Sequence, residues 1–144
     1  MKNILVLCTG NICRSPTAEY LLREELGDGY TVKSAGLGAL VDSPADPMAV
    51  AVAARHGIDL SSHRAAQVTM DMLKWADLVL VMEAGQKSEL LNKYPWLDGK
   101  IFRYGEPEKV DVPDPYRRPE SAFVMSWNFI KKLTPYWVKK IKES

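Results

Sequence analysis

One short stretch near the start of the chain, Cys8-Thr9-Gly10-Asn11-Ile12-Cys13-Arg14-Ser15-Pro16, combines a thiol, a guanidinium and a hydroxyl on a flexible backbone. Cys8 stands first and Arg14 follows after five intervening residues. A loop of this kind can turn its backbone N–H groups inward and bind an anion such as phosphate, above all where it opens into a helix N-terminus. The ending is not Gly-Lys-Ser/Thr, so the stretch is not a nucleotide-binding P-loop. Inward amides and a helix dipole favour the thiolate form of a cysteine, which is the nucleophilic form. An arginine at the far end of the same loop can fork onto two oxygens of one phosphoryl group. The blander reading makes Cys8 a core cysteine and Arg14 a solvated residue at a helix start. The flanking sequence favours chemistry, because Gly10 and Asn11 both tolerate positive φ.

The elements around this stretch define what must hold it. Ile4 to Leu7 is apolar throughout and predicts a parallel strand buried on both faces. Thr17 to Leu26 predicts a helix, with Ser15-Pro16 as its N-cap and N1 pair and Gly27-Asp28-Gly29 ending it. Further strands are expected at Tyr30–Lys33, Leu78–Met82 and Lys100–Tyr104. Further helices are expected at Pro47–His56, at Thr69–Trp75 with Thr69 as N-cap, at Gln86–Tyr94 and at Glu120–Lys142. Pro135 should kink or split the last of these. Ser34–Asp46 and Glu106–Pro119 read as loops. Strands alternating with helices predict a single three-layer α/β domain over residues 1–144, a parallel sheet with helices on both faces. Ser34 and Glu83 follow the second and third strands, at the same sheet edge as Cys8.

The stretch from Cys8 to Pro16 resembles the signature of the low-molecular-weight protein tyrosine phosphatases. The resemblance continues in Ser34-Ala35-Gly36, Ser62-His63-Arg64-Ala65 and Asp114-Pro115-Tyr116, and covers nearly the whole chain. Gly36-Leu37-Gly38-Ala39-Leu40 and Ala45-Asp46-Pro47 are most similar to the branch associated with exopolysaccharide export in Gram-negative bacteria. The resemblance implies a four-stranded sheet of order 2-1-3-4 and a binding crevice beside strand 1, where that order reverses. It implies Cys8 as nucleophile, Arg14 as the phosphoryl clamp and Asp114 as general acid. Asp114 could also be a plain Asp-Pro turn residue, and Asp111 is its local competitor. Thr9, Gly10, Asn11, Ile12, Cys13 and Ser15 are expected to cradle the phosphoryl group. Ser15 also donates to the Cys8 sulfur in this scheme. Leu40 and Tyr116 are expected to wall the entrance. In the family the asparagine matching Asn11 is held left-handed by a serine and a histidine, here Ser34 and His63. Cys13 is near enough along the loop to resolve an oxidised Cys8 as a disulfide, if the loop can bend.

Composition narrows the alternatives. The chain has 144 residues, 47% of them hydrophobic, and a net charge of +1. That suits one globular domain and argues against a nucleic-acid or membrane-surface partner. No apolar run reaches membrane-span length, so no membrane insertion is expected. Both cysteines lie in the loop, which predicts no structural disulfide and a reducing, cytoplasmic setting. The spacings Cys8-x4-Cys13 and His56-x6-His63 match no common zinc site, and no metal or cofactor is expected. The expected partner is a phosphotyrosine-bearing protein. By analogy with the branch, that protein is an autophosphorylating bacterial tyrosine kinase. The enzyme is expected to act as a monomer or weak dimer. An arsenate reductase on the same fold would need cysteines outside the loop. A protein arginine phosphatase would match Thr9 but carry threonine in place of Ile12. A phosphopeptide-binding module would have no use for Cys8, Arg14 and Asp114 together.

Overall fold

A computed structural model of residues 1–144 shows four parallel strands between two layers of helices. The elements in chain order are β1 (Asn3–Cys8), α1 (Arg14–Leu26), β2 (Thr31–Gly36), α2 (Pro47–Ala54), α3 (Met70–Trp75), β3 (Leu78–Val81), α4 (Ala84–Lys93), β4 (Ile101–Arg103) and α5 (Glu120–Lys142). Short 3-10 turns lie at Pro95–Leu97 and Glu106–Glu108. The sheet order is β2-β1-β3-β4, as expected. Ile4 pairs with Val32 on one side and with Leu78 on the other, which puts β1 in the interior.

The side-chain alternation of β1 divides the core in two. Ile4, Val6 and Cys8 face the larger half, with Leu21 and Leu22 of α1, Val52 of α2, and Trp127, Ile130 and Trp137 of α5. Leu5 and Leu7 face the smaller half, with Leu73 of α3, Leu90 of α4 and Val79, Val81 and Ile101 of the neighbouring strands. Both faces of β1 are therefore dry, which is why its sequence is continuously apolar. No helix is long and apolar enough to cross a membrane.

Apart from shifts of one or two residues at element ends, the elements differ from expectation in the following ways. β2 runs on to Gly36, so Ser34 lies within the strand, opposite Val6. α1 begins at Arg14, and Cys13 occupies the cap position without a capping side chain. Ser15 is thus a first-turn residue, and its hydroxyl is free for other partners. α4 begins at Ala84, because Glu83 and Gln86 form a capping box that starts the helix earlier. α5 runs unbroken through Pro135. The Thr134 hydroxyl donates to Ile130 O at 2.6 Å, occupying a carbonyl in the turn preceding the proline.

Gly36 closes β2 against the Cys8 loop. A Cβ there would stand 2.4 Å from Thr9 O and 3.1 Å from Ala39 Cβ. Thr9 O is itself held by Gly38 N–H at 3.0 Å, so the clash falls on fixed backbone. Gly36→Ala should cost about 2 kcal/mol, read as a Tm fall of roughly 4–8 °C. An unchanged Tm would show that the loop has slack at this point.

Candidate active site

The loop from Cys8 to Arg14 has its carbonyls turned out and its amides turned in. Cys8 O, Thr9 O and Gly10 O accept from the N–H groups of Leu37, Gly38 and Leu40 at 3.0, 3.0 and 3.1 Å. Ile12 O accepts from Asp46 N–H at 2.8 Å. Asn11 O accepts from His63 Nε2 at 2.7 Å, so that nitrogen carries the proton. The outer segment 37–46 is therefore a splint along the loop. The amides of Thr9 to Arg14 donate to no protein acceptor. Backbone donors left unpaired as a group are the mark of an anion site.

Asn11 makes this inversion work. Its φ is 60°, the left-handed region that a chiral residue enters only at a cost. Its side chain is fully buried and triply bonded. Oδ1 accepts from Ala66 N–H at 2.9 Å, while Nδ2 donates to Ser15 Oγ at 2.8 Å and to Ser34 Oγ at 3.0 Å. Ser15 Oγ lies 2.9 Å from Cys8 Sγ. Asn11 and Ser15 thus stand behind the loop rather than against the cavity. Their side chains brace it, as those of Ser34 and His63 do.

In front of the loop lies a cavity of about 400 Å³. Cys8, Thr9, Gly10, Ile12, Cys13 and Arg14 line its floor; Leu40, Tyr116, Arg117 and Gly38 form its walls. Leu40 and Tyr116 are both exposed at the rim. Arg117, with φ of 62°, folds its guanidinium back over the Tyr116 ring at 5.2 Å. Asp114 also lines the cavity, and its two oxygens divide their tasks. Oδ1 accepts from Tyr116 N–H at 3.1 Å, closing the Asp-Pro turn, and Oδ2 sits 3.7 Å from Arg14 Nη2. The turn role and the cavity-facing role coexist. Asp111 is engaged elsewhere, accepting from Ala84 N–H and from Arg103 Nη1, both at 3.0 Å. Partial burial pushes its carboxyl up, but those two donors outweigh it and hold Asp111 below the ordinary carboxylate range.

Arg14 is a charge buried to 1% exposure, and it is held on one side only. Nη1 donates to Glu83 Oε2 at 2.5 Å and to Val112 O at 2.8 Å, leaving Nη2 towards Asp114. A buried guanidinium needs such partners to offset its desolvation. Glu83 had only a place at the sheet edge in the sequence, with no role. Its partnership with Arg14 follows from α4 starting beside the loop. Gln86 adds a second tie, from Nε2 to Thr9 Oγ1 at 3.2 Å. Burial, with Asp46 next, pushes the Cys13 thiol far above its usual range, so it stays protonated at neutral pH and is a poor attacking thiol. The two histidines are far from any shared ligand set. His56 stacks on Trp127 at 4.7 Å, and no group of three or more His, Cys, Asp or Glu side chains is placed to hold a metal ion.

With the fold and this geometry in view, the chain belongs to the low molecular weight phosphotyrosine protein phosphatase family, which it matches over residues 3–144. Among its relatives is the probable low molecular weight protein-tyrosine-phosphatase EpsP of Ralstonia nicotianae. It is 49% identical over 142 residues, covering 99% of this chain and 97% of that protein. The structure of Vibrio vulnificus Wzb in complex with benzylphosphonate superposes with a TM-score of 0.91 at 40% identity, over 96% of this chain and 98% of that one. The YwlE arginine phosphatase from Geobacillus stearothermophilus superposes with a TM-score of 0.92 at 31% identity, over 99% and 94%.

The left-handed bend at Asn11 separates strain from bonding. Asn11→Gly keeps the backbone accessible and loses the three side-chain bonds. Asn11→Ala loses the same bonds and adds roughly 1 kcal/mol of left-handed strain. Urea denaturation should rank native above Asn11→Gly and Asn11→Gly above Asn11→Ala. Equal stability of the two variants would mean that the loop relaxes out of this conformation.

Proposed function

We propose that this protein hydrolyses phosphotyrosine in protein substrates through a cysteinyl-phosphate intermediate. The observation that carries the reading is the set of unpaired amides from Thr9 to Arg14 around a cavity floored by Cys8. Three equatorial phosphoryl oxygens need donors, and these amides with Arg14 Nη2 supply them. The Cys8 sulfur attacks phosphorus, and the bond to the phenolic oxygen breaks. Asp114 gives its proton to that oxygen, so tyrosine leaves neutral. A water molecule then attacks phosphorus while Asp114 takes its proton. The sulfur–phosphorus bond breaks, inorganic phosphate departs, and Cys8 is restored as thiolate. Ser15, bonded to the sulfur, stabilises negative charge there at both ends of the cycle. The scheme needs no metal or cofactor.

The cavity suits an aryl ester. Leu40 and Tyr116 offer apolar rims to a ring, and Ile12 adds a branched apolar side chain on the floor. A serine ester is too short to bring its phosphoryl group down to the floor past these walls. Further out, we place the activity in the cytoplasm, as a monomer or weak dimer. We also assign it to the dephosphorylation of an autophosphorylating tyrosine kinase of polysaccharide export. That assignment rests on the resemblance of Gly36–Leu40 and Ala45–Pro47 to one branch of the family. A second reading, phosphoarginine hydrolysis, is favoured by Thr9 and by the likeness to the YwlE arginine phosphatase structure. Against it stands Ile12, which offers no hydrogen bond to a guanidinium or to a water oriented against one.

Cys8→Ser should abolish turnover of p-nitrophenyl phosphate while phosphate still binds, because the amides remain. Asp114→Asn should slow high-pKa phenol leaving groups by roughly 10²-fold or more and p-nitrophenol far less. A uniform loss across such a series would remove Asp114 as the acid.

The choice of ester is tested on matched peptides. Native kcat/KM should be greater for phosphotyrosine than for phosphoarginine, and Ile12→Thr should raise the phosphoarginine rate relative to phosphotyrosine. Native preference for phosphoarginine would reverse the substrate assignment and leave the cysteine chemistry standing.

A further inference from the structure

Most arginines of the chain are committed within the protein. Arg14, Arg23, Arg55 and Arg103 each meet a carboxylate, and Arg64 donates to His63 O at 2.8 Å. Arg117 and Arg118 are the two with no such partner. Both follow Tyr116 at the mouth of the cavity, and Arg117 lines it. The other charged groups on the cavity are engaged. Arg14 is bonded to Glu83 and Val112 O, and Asp114 accepts from Tyr116 N–H and lies towards Arg14. The Arg117 guanidinium lies over the Tyr116 ring at 5.2 Å. A planar guanidinium on an aromatic face keeps its N–H edge free, and that edge matches the two oxygens of a carboxylate.

The backbone presents this side chain at a cost. Asp114 to Arg118 form a tight turn, closed by Tyr116 N–H on Asp114 Oδ1 at 3.1 Å and by Arg118 N–H on Pro115 O at 2.9 Å. Pro115 is buried beneath it. Arg117 completes the turn at φ 62°, in the left-handed region. A glycine or an asparagine would make the same bend with less strain, so what arginine adds is its guanidinium.

We infer that Arg117 is a recognition site for an acidic side chain of the substrate, the carboxylate of an aspartate or glutamate close in sequence to the phosphotyrosine. A phosphotyrosine ring between Leu40 and Tyr116 brings its own main chain to the rim, and its neighbours then pass over Tyr116 and the guanidinium folded on it. An extended residue spans roughly 3.5 Å, so the position read is within about two residues of the phosphotyrosine. An acidic neighbour there gains a charge-assisted pair, and a lysine meets like charge. This deepens the proposed phosphatase reading and rests on it.

The test uses phosphotyrosine peptides of one sequence that differ only in a flanking residue, set as glutamate, glutamine or lysine on either side. At low salt, native kcat/KM should be about threefold or more higher for glutamate than for glutamine on at least one side, and lowest for lysine there. The preference should shrink at about 0.5 M salt. Arg117→Gly, which keeps the bend, should bring the glutamate-to-glutamine ratio near one. Arg117→Lys should retain part of it, and Arg117→Glu should invert the order in favour of lysine. A wall residue that only packs, or a cation that only attracts the phosphoryl dianion, would move all the peptides together and leave the ratio unchanged. Arg118→Glu, at a residue that does not line the cavity, should change the ratio less than Arg117→Glu. No acidic preference in the native protein, a preference that survives Arg117→Gly, or an equal effect of Arg118→Glu would overturn the inference. Native protein that hydrolyses all the peptides equally leaves the phosphatase reading standing without it. Failure to hydrolyse any of them sinks that reading, and the inference with it.

Discussion

The structure depends on a backbone loop whose donors all face one way. Six consecutive residues, Thr9 to Arg14, leave their amides unpaired, and that arrangement is tolerable only if their carbonyls are satisfied on the other side. Segment 37–46 and His63 supply that satisfaction, and Asn11 supplies the left-handed bend that the inversion requires. The strain and the unpaired donors are held in place by bonds made outside the cavity. Local strain of this kind persists where the surroundings over-determine it.

That requirement explains the placement of neighbouring elements. β2 must approach the loop closely, which only a residue without a Cβ permits at Gly36. α1 must begin immediately after the loop, so its first turn carries Arg14 inward and Ser15 towards the sulfur. The segment after α2 must bring His63 and Ala66 to opposite ends of Asn11. A change in any of these elements reaches the cavity through backbone hydrogen bonds, with no need to touch a bound group.

Arg14 links the loop to the other side of the sheet. Its buried charge is balanced by Glu83 at the start of α4 and by Val112 O in the segment after β4, and its free nitrogen faces Asp114 in the same segment. The guanidinium therefore ties together three stretches that are distant in sequence. The two carboxylates serve different ends. Glu83 is bonded directly to the guanidinium, while Asp114 stays half-exposed at the cavity mouth, 3.7 Å from its other nitrogen.

The apolar runs at Ile4–Leu7 and Leu78–Val81 dictated buried strands, and the placing of Cys8 to Pro16 between a strand and a helix, with Gly10 and Asn11 inside it, pointed to an anion-holding loop, because periodicity and local residue chemistry are properties of the chain itself. The order of the strands and the identity of Asp114 came from resemblance. The boundaries were less legible. Pro135 was expected to kink or split α5, but the helix is continuous there, where packing of Trp127, Ile130 and Trp137 outweighs the lost hydrogen bond. Ser15 looked like a helix cap, but its hydroxyl goes to Cys8 and Asn11. Glu83, after a strand, carried no signal of its own, since an acidic residue reads the same whether it is solvated or paired. By itself the sequence determined a parallel α/β sheet with a thiol and a guanidinium on one loop. Only the tertiary structure decided which way the loop's amides face and which residues hold them so, because those partners lie 23 to 98 positions away along the chain and meet only when the sheet forms.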